Sequence, residues 1–193
     1  MYDYISGRLV EQSPTQVIID NQGMGYLVHI SLNTYSQIKD QEAVKLYLHF
    51  VVREDAQIFY GFADDNERKL FRALITVSGV GANTARLVLS SLTIDEAYAA
   101  ITGGHVGVLQ GVKGIGAKTA QRIVVDLKDK LLKTDIKSQN VDFSDNTLKE
   151  EALSGLLILG FNKSVAAKAI DRVLKQQGAD SVEGLIKQAL KSL

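Results

Sequence analysis

The apolar and polar positions divide the chain into stretches of different period. Over the first sixty residues, apolar side chains rich in Val, Ile, Tyr and Phe recur in short runs at 5–10, 16–20, 25–31, 43–52 and 56–62, with turn residues such as Ser13-Pro14 and Asn21-Gln22-Gly23 between them. These runs predict five β-strands. Five short strands in so few residues suggest a closed barrel of the OB type, because closure removes edges that a small sheet cannot hide. From Asp64 the period becomes helical. Leu70, Phe71, Leu74 and Ile75 follow at helical spacing, and Asp64 with Glu67 is placed as a capping box. Further helices are predicted at 82–91, from a second capping box at Thr93 and Glu96 to Gly103-Gly104, through a short turn at 106–110, and at 117–132.

Residues 133–146 are polar and without period, which reads as a linker. Three helices follow. The first, 148–159, carries more apolar residues than one buried stripe needs, so it has either a wide core face or a partner site. The expected fold class is therefore multidomain α+β. A five-stranded OB-type barrel spans 1–63, a helical domain 64–132, a flexible linker 133–146 and a three-helix domain 147–193.

Within the helical domain one device occurs twice. Gly79-Val80-Gly81-Ala82-Asn83-Thr84-Ala85 returns thirty-five positions later as Gly114-Ile115-Gly116-Ala117-Lys118-Thr119-Ala120. Each copy follows one predicted helix and opens the next, so the domain reads as a pair of helix-hairpin-helix units. Glycine lets the backbone turn sharply and approach a ligand. The first amides of the following helix lack internal partners, and the helix dipole adds partial positive charge, which together favour a phosphate. Lys118 and Arg122 share a face beside the second copy. A Gly-x-Gly that merely shortens a turn is the alternative, and duplication in the same context argues against it.

Lysine plus arginine equals aspartate plus glutamate, at 22 each, but the balance is local. Residues 1–63 hold four basic and seven acidic groups, 64–133 hold ten and seven, and 134–193 hold eight of each. The repeat lies in the segment with a positive excess, as a nucleic-acid footprint requires. An opposite signal stands at the tip of a predicted hairpin, Arg53-Glu54-Asp55-Ala56. It reads either as a solvated turn or as carboxylates that repel phosphate.

No catalytic constellation emerges. The chain has no cysteine, His29, His49 and His105 are isolated, and neither a phosphate-binding Gly-x-x-x-x-Gly-Lys-Ser/Thr loop nor a two-metal carboxylate cluster is present. Binding is expected, with no catalytic residue, metal or cofactor. The start lacks the pattern of a signal peptide and no apolar run reaches the roughly 18 residues of a membrane span, so a cytoplasmic location is expected. Two other readings stand beside this one. A helix-hairpin-helix repair enzyme would need a catalytic group beside a hairpin, for which Asp126 and Lys128 are the nearest. A single-strand-binding barrel would need an aromatic platform that the sequence does not display.

The string His49-Phe50-Val51-Val52-Arg53-Glu54-Asp55-Ala56-Gln57, the two glycine hairpins, the linker and a tail containing Leu159-Gly160-Phe161 closely resemble, in that order and over the whole chain, the RuvA family. These are the Holliday-junction-binding subunits of the bacterial branch-migration machine, acting in recombination, DNA repair and the SOS response. The resemblance implies a homotetramer holding a four-way junction open and square, with one tetramer or two on a junction left open. It implies that Gly79, Val80, Gly81, Asn83 and Arg86, and Gly114, Ile115, Gly116, Lys118, Thr119 and Arg122, hold the duplex arms, reading shape and not sequence. Glu54 and Asp55 match the family's acidic pin. The tail, through Leu156, Leu159 and Phe161, would dock on the RuvB ATPase motor, and the RuvC endonuclease would act alongside. Asn83 and Ala117 stand where the family often has lysines.

Overall fold

The alternating runs fold into a closed barrel. In the computed structural model, which describes residues 2–133, 146–176 and 181–192, β1 (Tyr4–Ser13), β2 (Gln16–Asn21), β3 (Met24–Ile30), β4 (Ala43–Val52) and β5 (Gln57–Phe62) close in the order β1-β2-β3-β5-β4. Every pairing is antiparallel except β3 with β5, where Val28 lies opposite Phe59. β1 pairs with both β2 and β4, and an irregularity between Leu9 and Glu11 lets it bend from one to the other. Ile5, Val17, Ile19, Val28, Ile30, Leu46 and Leu48 fill the interior.

The sequence pattern misses one element. α1 (Leu32–Ile38) bridges β3 and β4, where the third strand had been expected to run on through Ser31. Ser31 instead ends the strand and caps the helix, its Oγ accepting the Thr34 N–H.

The helical region comprises α2 (Asp65–Leu74), α3 (Ala82–Ser91), α4 (Ile94–Thr102), α5 (Val106–Gln110) and α6 (Ala117–Leu132). Its core contains Leu70, Phe71, Leu74, Val88, Ile101, Ile123 and Leu127, and Tyr60 and Phe62 of β5 belong to the same cluster. Barrel and helices therefore share buried surface and form one compact unit. The capping box at Thr93 and Glu96 closes.

The one expected at Asp64 does not take that form. Asp64 caps α2 by accepting the Asn66 N–H, while Glu67 turns into the joint between barrel and helices. There its carboxylate, fully buried, accepts the Ser31 and Thr34 hydroxyls, the latter at 2.7 Å. Each hydroxyl in turn accepts a backbone amide, Ser31 from Thr34 and Thr34 from Ala63. Two hydroxyl donors in a dry joint hold the carboxylate better than a reach back to its own helix start. Burial pushes the Glu67 carboxyl up to about 6 against the opposing pull of these two bonds.

The described residues from Asn146 onward belong to a second compact unit. α7 (Asn146–Ile158), α8 (Lys163–Gln176) and α9 (Val182–Ser192) pack around Ala152, Leu156, Ala166, Ile170, Leu185 and Ala189. Gly160, with φ +93°, stands just beyond α7, Asn162 Oδ1 accepts the Ser164 N–H, and Ser181 Oγ accepts the Gly184 N–H. Residues 134–145, nearly all of the expected linker, lie outside the described residues.

Candidate nucleic-acid interface

The two hairpins are copies in geometry as well as in sequence. In the first, between α2 and α3, Val77 N–H donates to Leu74 and Val80 N–H to Val77. In the second, between α5 and α6, Val112 donates to Leu109 and Ile115 to Val112, all at 3.0–3.2 Å. Gly79 and Gly114 take φ of +89° and +91°, the left-handed region that other residues enter only at a cost. Val80 and Ile115 are buried and anchor each loop in the core, with Gly79, Gly81, Gly114 and Gly116 exposed around them.

The second glycine of each pair has a different reason to be glycine. Gly81 (φ −83°, ψ 170°) and Gly116 (φ −81°, ψ 168°) are the N-caps of α3 and α6, in extended backbone open to any residue. A Cβ on either would meet nothing within 4 Å. Neither the fold nor the backbone angle demands glycine there, and a serine or aspartate would cap better. Glycine leaves the first amides of both helices uncapped by any side chain and open to an approaching anion.

The hairpins are also joined. Arg122 of α6, itself exposed, donates from Nη1 to the carbonyl of Ser78 in the first hairpin at 3.1 Å. Lys118 is exposed and Thr119 partly so. Lys113, absent from the sequence-based set although it stands inside the second hairpin, is exposed beside Gly114 and restores charge near Ala117. Asn83 is exposed, with the Tyr60 hydroxyl 3.4 Å from its Oδ1. Arg86 points back to the barrel, donating to the carbonyls of Thr15 at 2.9 Å and Ile30 at 3.5 Å. Its charge, after burial, keeps the nearby His29 below the usual histidine pKa.

The acidic hairpin joins β4 to β5. Val52 and Gln57 form its last ladder pair, Arg53 N–H donates to Ala56 carbonyl at 2.8 Å, and Glu54 and Asp55 stand exposed at the tip. Val51 and Ile58, one rung below, pack against the helical core. The pin and the glycine hairpins are thus fixed in one unit.

Among the described residues no group of His, Asp and Glu could hold a metal, and no helix is long and apolar enough to cross a membrane. Asp126 and Lys128 lie on α6 about 15 and 18 Å along the axis from Gly116, too far to act at that hairpin. In the second unit Leu156 is fully enclosed, whereas Leu159 and Phe161 reach the surface together with Ile158, which is 83% exposed and was not singled out in the sequence.

Known proteins agree over the whole length. Residues 1–61 match the RuvA N terminal domain, 71–129 the SAM-like helix-hairpin-helix tandem, and 147–193 the RuvA C-terminal domain. Proteins named Holliday junction branch migration complex subunit RuvA are similar from end to end. That of Christiangramia forsetii is 50% identical over 193 residues, covering all of both chains. Those of Flavobacterium psychrophilum and Bacteroides fragilis are 47% and 45% identical, again over all of both. The chain belongs to the RuvA family.

Proposed function

We propose that this chain is a non-catalytic scaffold that binds four-way DNA junctions by shape, holds them open and recruits a RuvB-type ATPase motor. The observation that carries this reading is the pairing, in one compact unit, of two uncapped helix N-termini with an exposed acidic hairpin. The amides behind Gly81 and Gly116 attract phosphate, and Glu54 and Asp55 repel it. A duplex satisfies only the first. A junction, whose arms diverge around an open centre, satisfies both. Four copies around such a centre would give each arm its own pair of hairpins, and a homotetramer is the assembly we infer, acting in the cytoplasm and alongside a RuvC-type endonuclease. Motor docking is assigned to Leu159, Phe161 and Ile158, with Leu156 supporting them from the core.

Gel-shift titration of a synthetic four-way junction against linear duplex of equal length tests the reading. Preference for the junction is expected, and equal affinity would refute it. The variant Glu54→Lys, Asp55→Lys is expected to keep or raise junction affinity while binding duplex about tenfold more tightly, since charge complementarity at the centre no longer discriminates. Arg122→Gln isolates a different property. With its guanidinium engaged on Ser78, Arg122 sets the spacing of the hairpins. Its loss should weaken binding while leaving the slope of log affinity against log salt unchanged. A fall in slope of about 0.9 would instead make it a direct phosphate contact.

A further inference from the structure

The barrel end from which the acidic hairpin rises carries a second surface. Four aromatic rings from distant parts of the chain meet there. Phe50 and Phe59, cross-strand partners in β4 and β5, stack with centroids 4.6 Å apart. Tyr2 stands edge-on to both, at 5.3 and 5.1 Å, and Tyr26 of β3 edge-on to Phe59 at 6.2 Å. A cavity of about 430 Å³ opens among Tyr2, Tyr4, Asn21, Tyr26 and Phe59, with Ser6 at its side.

The chemistry of this mouth narrows its ligand. No lysine or arginine is among the residues that line it, Lys45 beside it having its Nζ held over the Tyr4 ring at 4.5 Å, and the carboxylates of Glu54 and Asp55 on the adjoining hairpin repel anions generally. What it offers is aromatic surface and neutral polar groups. Asn21 donates one amide N–H to the Ser6 carbonyl at 2.7 Å, which fixes the side chain with its second N–H and its acceptor oxygen beside the tyrosine hydroxyls. A flat, uncharged group with hydrogen-bonding edges fits this description, and a nucleobase is such a group. Tyr2, 52% exposed, presents its ring to such a group, while the Tyr4 ring, 56% exposed, already carries the Lys45 ammonium.

Position supplies the occupant. Phe59 lies on the same hairpin as the carboxylate tip, four residues or about 13 Å below Asp55. A strand parted at the tip carries unpaired bases, and the mouth lies along the same hairpin within about two nucleotide lengths of them. We propose that the aromatic mouth of the barrel takes an unpaired nucleobase from the parted strands of a bound junction. The inference rests on the reading of the acidic hairpin as a strand-parting element. Stacking needs no particular base, so the site adds affinity without sequence preference.

The test uses the full-length protein and four-way junctions carrying 5-iodouracil either at the crossover or mid-arm. Irradiation should crosslink the crossover base, and not the arm base, to a peptide containing Tyr2, Tyr4, Tyr26 or Phe59. Tyr2→Ala, a change at a half-exposed position, should reduce that crosslink and weaken junction binding about fivefold, the lower end of the loss for one stacking ring, with duplex binding unchanged. Crosslinks confined to the glycine hairpins, with the junction still bound, would overturn the site while leaving the scaffold reading intact. Absence of junction binding would instead refute the scaffold. A fall in oligomeric mass of DNA-free Tyr2→Ala would assign the mouth to a contact between subunits and equally overturn the proposal.

Discussion

The double variant Gly81→Asp, Gly116→Asp is expected to fold at least as stably as the parent and to lose four-way-junction binding by two orders of magnitude or more. Both glycines sit in ordinary extended backbone with open space where a side chain would go. Aspartate is a strong N-cap and its charge suits the helix dipole, so each change should add a few tenths of a kcal/mol to stability. The same carboxylate occupies the amides that a phosphate needs and places negative charge against it. A charge-assisted hydrogen bond is worth about 1.5–3 kcal/mol, so losing one at each hairpin costs about 3–6 kcal/mol, well beyond a hundredfold. Thermal melting and gel shift together decide the matter. Retained binding would show that the hairpins are only turns. Gly79→Ala and Gly114→Ala, at positive φ, should instead lower the melting temperature.

The largest effect on folding is expected at Glu67. Glu67→Ala removes the acceptor of two hydroxyls in a joint with no access to water and leaves a void, a loss of about 3–5 kcal/mol. Because barrel and helices meet there, the change also loosens the placement of Glu54 and Asp55 relative to the hairpins. Glu67→Gln separates shape from charge. With its pKa raised from 4.5 to about 6, Glu67 contributes stability that is fully present below pH 4.5 and lost as pH rises through 6. The span amounts to about 2 kcal/mol, from 1.36 kcal/mol per unit. Denaturant titrations at pH 4.5, 5.5 and 7 should show the parent losing that much relative to the glutamine variant. Parallel curves for the two proteins would mean that Glu67 titrates normally.

Much of this molecule was legible along the chain because its logic is local. Strand alternation, the Thr93–Glu96 cap and the two glycine hairpins depend on neighbours a few residues apart, and each appears where the pattern placed it. What escaped depends on distance in sequence. Glu67 had the spacing of a capping box, and only the arrival of Ser31 and Thr34, more than thirty residues away, gave its carboxylate better partners. α1 is too short to show a period, and its cap looked like the end of a strand. Arg86 and Arg122 both read as free charge, yet one reaches the barrel and the other the opposite hairpin. The aromatic cluster was invisible for the same reason, with Tyr2 and Phe59 at opposite ends of the barrel sequence. Lys113 is a local exception, standing immediately before Gly114 of the second hairpin.

The acidic hairpin behaves mechanically as a short beam clamped at its root. Val51 and Ile58 are gripped by the helical core on one side, and Phe50 and Phe59 are wedged into the ring cluster on the other. Only residues 52–57 project beyond the clamp, an arm three residues long on each strand or about 10 Å. The stiffness of a cantilever falls steeply as its free length grows, so an arm this short cannot lean aside when pressed, and load at Glu54 and Asp55 passes directly into both cores. Residues inserted at the tip would extend the reach of the carboxylates and soften the arm that holds them. Hairpin length thus sets reach against firmness.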